Sequence, residues 1–119
     1  MTDQEINEAI ARKEWKPSEG GWRRDHAVGY DWYRNLPIED YCNSLEAVWR
    51  VVNKTRMVYS EQYKASLDFC LMAQAPRWKA GWFTILWDCE HEEWMGEAYD
   101  FIPAKACCLA LLALDKNRL

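Results

Sequence analysis

Two stretches of this chain bring arginine together with aromatic rings. In the first, Gly21-Trp22-Arg23-Arg24-Asp25-His26 runs on to Tyr30, Trp32, Tyr33 and Arg34. In the second, Arg77, Trp78, Lys79 and Trp82 repeat the pairing. A guanidinium offers planar, bidentate donors to phosphate or carboxylate, and an aromatic face stacks on a base. This is chemistry for clamping an anionic, aromatic small molecule such as a nucleotide. Its candidate contacts are Trp22, Arg23, Arg24, His26, Trp32, Arg77, Trp78 and Trp82. The competing reading is that the arginines lie on the rings as ordinary surface cation–π pairs.

Other chemistries find less support. Cys89-Glu90-His91 with Glu92 and Glu93 has metal-binding residue types. A metal site needs three or four ligands converging from separate elements, and no second CxxC or HxxxH supplies them. The cluster reads as a hairpin loop, and no metal is expected. A nucleophilic Cys–His pair would need an activated thiol, and no cysteine sits in a recognisable elbow or Gly-rich turn. Glu39-Asp40 and Glu92-Glu93 are sequence neighbours in polar segments, where solvation is the simpler reading than acid–base work. No P-loop, GxGxxG, GxSxG or HExxH is present. Neither an enzyme nor a cofactor is expected.

Eight tryptophans in 119 residues point instead to binding. One small core holds only a few indoles, and the surplus tends to line surfaces that grip something. A net charge of −4, with lysine and arginine interleaved, disfavours a general grip on duplex nucleic acid. The five cysteines are odd in number, irregularly spaced, and adjacent at Cys107-Cys108, so no disulfide framework is suggested. Met1 to Lys16 does not read as a signal peptide. Ala106 to Leu114 is the longest apolar stretch and too short to span a bilayer. A reduced, cytoplasmic protein is expected.

The elements that must position these residues follow from periodicity. Thr2-Asp3-Gln4-Glu5 is a capping box before a helix over 1–13. Residues 14–37, rich in glycine, proline and aromatics, read as an irregular segment folded over the rest. Tyr41, Leu45, Val48, Trp49 and Val52 form one stripe, predicting an amphipathic helix over 43–55 with Trp49 in the core. Tyr63, Ala65, Leu67, Phe69 and Leu71 alternate with polar residues, which predicts a strand within 61–73, a helix being the competitor.

Residues 75–81 read as a turn, Trp82 to Trp87 as a strand, 88–92 as a turn, and 93–99 as a third strand. Trp82 and Trp87 fall on opposite strand faces, so one of them points away from the core. Pro103 opens a last helix over 103–116, apolar almost all round and therefore buried on two sides or packed on another copy. The expected fold is a single α+β domain in the order α-α-β-β-β-α. A three-stranded antiparallel meander is packed with helices in a sandwich-like arrangement, and 38–116 form its core.

The stretch Leu36 to Leu114 resembles a family of small bacteriophage proteins, the phage ABA sandwich domain. The resemblance lies in Leu36-Pro37 with Tyr41 before Asn43-Ser44-Leu45-Glu46-Ala47-Val48-Trp49, in the Tyr63 strand, and in Ile102-Pro103-Ala104-Lys105-Ala106-Cys107-Cys108-Leu109-Ala110. Glu8-Ala9-Ile10-Ala11 and Glu14-Trp15-Lys16 look like its first helix and exit. Ile102 departs from the threonine usual before that proline. The resemblance implies a phage origin and an α/β sandwich, and it carries over no catalytic residue. Joined to the Arg/Trp segments, it leads to the expectation of a non-enzymatic counter-defence protein that sequesters a nucleotide-type immune signal in the infected cell. The alternatives are a protein-binding inhibitor of a host immune complex and a structural phage protein. The last helix suggests homo-oligomers.

Overall fold

The computed structural model describes residues 1–14, 30–31, 36–74 and 81–118. Its elements are α1 (Asp3–Glu14), β1 (Tyr30–Asp31), β2 (Leu36–Pro37), α2 (Leu45–Tyr63), β3 (Leu67–Gln74), β4 (Gly81–Asp88), β5 (Glu93–Asp100) and α3 (Pro103–Arg118). The strands β3-β4-β5 form an antiparallel meander, and β1 and β2 make a separate two-stranded pairing. The fold is α+β in the expected order, apart from that small pair.

Local chemistry sets the helix starts. The Thr2 N–H donates to Glu5 Oε1 at 3.1 Å while the Glu5 N–H donates to Thr2 Oγ1 at 3.2 Å, the reciprocal capping box. At α2 the capping residue is Ser44, whose hydroxyl accepts from the Ala47 N–H at 3.2 Å. Pro103 is the first residue of α3, where its missing N–H is no loss.

Two expectations about α2 need correction. The helix runs on to Tyr63, past the expected end at 55, and closes on Lys64 in the left-handed conformation (φ 53°). Residues 61–63 are thus its last turn, and the strand begins only at Leu67. The buried stripe is Ala47, Val48, Val51, Val52 and Tyr59, which leaves Leu45 and Trp49 on the flank at 41% and 37% exposure. Trp49 is therefore not a core residue.

All three helices lie on one face of the meander. Helix α3 packs on β5 and β4, α2 packs on β3, and α1 closes over α2 and α3. The apolar surround of α3 is thereby used within the chain: Ala104, Ala106, Cys107, Cys108, Ala110, Leu111 and Leu114 are all buried. Oligomerisation is not needed to explain it. Helix α1 is tied down by the Lys105–Asp3 ion pair at 2.8 Å and by Asn7, whose side-chain oxygen accepts from the Cys42 N–H at 2.9 Å.

Helix α3 approaches β5 closely at Gly96. A Cβ there would stand 2.8 Å from the Ala110 carbonyl oxygen and 3.1 Å from the Leu114 nitrogen, so α3 lies directly on the β5 backbone. One residue earlier in the same strand, a β-bulge opposite Leu86 and Trp87 inserts Met95 as an extra residue. The bulge lets Met95 and Gly96 both face inward while Trp94 stays on the opposite side with Trp87.

Candidate functional site: the helix-free face and edge of the sheet

Strand alternation divides the meander into two chemically different faces. Toward the helices point Leu67, Phe69 and Leu71 of β3 and Trp82, Thr84, Leu86 and Asp88 of β4, cross-paired in the ladder. Away from them point Cys70 and Met72 of β3, Phe83, Ile85 and Trp87 of β4, and Trp94, Glu97 and Tyr99 of β5. No described helix covers this second face, yet it is mostly apolar. Trp94 is 62% exposed and Met72 39%.

The expectation that Trp82 and Trp87 point to opposite faces therefore holds, with Trp87 the outward one. Trp87 and Trp94 are ladder partners beside the bulge, their ring centroids 4.7 Å apart at 65°. Edge-to-face pairing of this kind fixes both rings without removing them from solvent. Together with Asp68, Cys70, Met72 and Ile85 they line a shallow depression of about 380 Å³.

A second depression lies on the other side of the same strand. An open groove of about 900 Å³ runs between α2 and β3, lined on the helix by Leu45, Glu46, Trp49, Arg50 and Asn53 and on the strand by Phe69 to Met72. Trp49 meets Phe69 edge to face at 5.4 Å and forms part of the groove wall. Cys70 and Met72 line both depressions. The two hollows therefore form one apolar surface wrapped around the β3 edge.

At the end of the sheet, Asp88 organises the β4–β5 hairpin. Its carboxylate is fully buried. One oxygen accepts from the N–H groups of Glu90 and His91, at 3.0 and 2.9 Å. The other takes the Tyr59 hydroxyl and contacts the His91 ring at 2.8 Å. Burial alone would push the carboxyl up, but the bonds from Tyr59 and His91 outweigh it and hold Asp88 well below the usual carboxylate range. An Asp–His pair resembles part of a catalytic relay, but here the carboxylate is engaged in tying the turn to α2.

Four of the thiols are held in their neutral form. Burial pushes Cys42 and Cys107 up to about 11 and Cys108 higher still. Cys89 is raised by its hydrogen bond with Asp68 before any effect of burial. A protonated thiol is a poor nucleophile. Among the described residues, no group of three or more His, Cys, Asp or Glu side chains is gathered to hold a metal ion, and no helix is long and apolar enough to cross a membrane.

Of the residues expected to clamp a ligand, Trp22, Arg23, Arg24, His26, Trp32, Arg77 and Trp78 lie outside the described residues. Trp82 is half-buried on the helix-side face, away from Trp87 and Trp94. Sequence reasoning missed Trp94, Met72 and Cys70. Their signal was present: they share the strand face of Trp87 and Ile85 once the register is known. No family model, curated protein or solved structure matches the chain. The resemblance to the phage family thus rests on the quoted residues alone.

Proposed function

We propose that this chain is a non-catalytic binding module whose partner is a protein, docked on the helix-free face of the meander. The observation that carries the reading is the outward Trp87–Trp94 pair, framed by Cys70, Met72 and Ile85 on a face that no described helix covers. Tryptophans of this kind dominate interface energetics when a partner desolvates them. The face is open and shallow, as protein interfaces are, and small-molecule sites are typically enclosed. Its charged members, Asp68 and Glu97, are acidic, which suits a protein partner better than a phosphate-bearing ligand. The raised thiols of Cys42, Cys89, Cys107 and Cys108 and the fully engaged Asp88 support binding over catalysis.

The phage resemblance adds an expectation about the partner, namely a component of a host immune complex. The test is affinity capture from bacterial lysate with the wild-type chain and with Trp94→Ala. A protein retained by the first and lost by the second, with both chains melting alike, supports the reading. A chain that retains nothing, but melts several degrees higher with a cyclic nucleotide, would return the function to signal sequestration.

A further inference from the structure

The backbone of β3 carries its own binding capacity. The Cys89 N–H donates to the Ser66 carbonyl at 3.0 Å, which makes 66 and 89 a hydrogen-bonded pair of the ladder. By the alternation of an antiparallel sheet, Asp68, Cys70 and Met72 bond inward to β4, while Leu67, Phe69, Leu71 and Ala73 turn their N–H and C=O groups off the edge. Arg56 fits this assignment, donating from Nε to the Leu67 carbonyl at 3.0 Å. Among the described residues, the outward groups of Phe69 and Leu71 meet no such donor or acceptor. They open into the groove beside α2.

Backbone groups are obligatory hydrogen-bonding groups, and an open edge beside an apolar groove is a template for another strand. The geometry selects the occupant. Helix α3 covers β5 and β4, and α2 covers β3. Packed helices stand about 8–10 Å apart but neighbouring strands only about 4.8 Å, so the α2 axis falls at the β3 edge or beyond it. A second copy joined antiparallel, edge to edge, keeps its helices on the same face and would bring its own α2 into the same space. A single extended segment brings no helix and fits.

Charge narrows the segment further. The Arg50 guanidinium is held by Glu14 and Glu39. Arg56 is engaged at the Leu67 carbonyl, and along the Phe69–Met72 stretch Glu46 on the groove and Asp68 on the opposite side of the strand leave the site acidic, in a chain of net charge −4. Side chains of an added strand that point toward α2 would meet Leu45, Trp49 and Leu71, and those on the other face would meet Cys70 and Met72.

We infer that β3 captures an extended segment of a protein partner by strand addition, a segment with apolar side chains at alternate positions and Lys or Arg beside them. The inference deepens the protein-binding reading and rests on it.

The test is selection of displayed random dodecapeptides on the purified full-length chain, followed by amide hydrogen exchange with a synthetic consensus peptide. Enrichment of alternating apolar residues with lysine or arginine, and slowed exchange at Phe69 and Leu71, is the expected result. Methylating one peptide nitrogen that faces β3 should weaken binding roughly threefold to tenfold, the worth of one hydrogen bond. Three results overturn the inference: no enriched peptide, protection confined to β4 and β5, or protection of Phe69 and Leu71 by self-association of the chain. The broader reading fails on different data, namely partner retention that is insensitive to Trp94→Ala.

Discussion

Removing the Asp88 carboxylate should have the largest effect of any single polar change in the described fold. Four donors converge on it: the Tyr59 hydroxyl, the His91 ring and two turn N–H groups. In Asp88→Ala the turn N–H groups and the exposed His91 ring can turn to water, but Tyr59 is only 4% exposed and its hydroxyl is left buried. Loss of the buried Tyr59 bond, the two turn bonds and the His91 contact to one charged acceptor comes to about 3–5 kcal/mol. For a domain of this size that is a fall in Tm of about 12–20 °C.

Asp88→Asn should be milder, about 1–2 kcal/mol, because its carbonyl oxygen keeps the turn N–H groups and only charge assistance is lost. The pH dependence has a definite sign. Asp88 titrates lower in the folded chain than the ordinary value near 3.9, so its contribution is fully present above about pH 4. It is lost progressively as pH falls below that, through the folded value. Urea titrations of wild type and Asp88→Asn between pH 7 and pH 2 should therefore converge at the acid end. An alanine variant within about 1 kcal/mol of wild type, or a stability gap that widens in acid, would refute the assigned network.

Further predictions address packing, thiols and the edge. Gly96→Ala forces a methyl against the Ala110 carbonyl and should cost about 1–3 kcal/mol, read as a lower urea midpoint. In the native chain Cys70 should react with a thiol reagent well before Cys42, Cys107 and Cys108, which are buried and kept neutral, with all five equalising in denaturant. Ser44→Ala removes the α2 cap and should lower stability by about 1 kcal/mol, whereas Ser44→Asp should retain it.

Those parts of the fold that depend on near neighbours were legible in the sequence. The capping box needs only Thr2 and Glu5, the α3 start needs only Pro103, and the opposition of Trp82 and Trp87 follows from a period of two. What escaped depends on distant partners. The far end of α2 was hidden because Tyr63 and Ala65 continue the alternation of β3 backward into helical residues, and because Lys64, with no glycine to mark it, closes the helix. The sequence stripe places Trp49 in the core because it is centred one residue off, and only packing against α1 and α3 selects the Ala47-Val48-Val51-Val52 face. Trp94 was invisible as a site residue until the bulge at Met95 set its register. The bond from Tyr59 to Asp88 joins residues 29 apart, and no local pattern announces it.

Hydroxyl-radical footprinting of the free chain and of the chain with its captured partner tests the docking surface most directly. The predicted result is protection of Trp94, Trp87 and Met72 in the complex, with no change at Met57 or Phe101, which are 66% and 73% exposed elsewhere. Protection of Met57 or Phe101, with Trp94 as reactive as in the free chain, would contradict it.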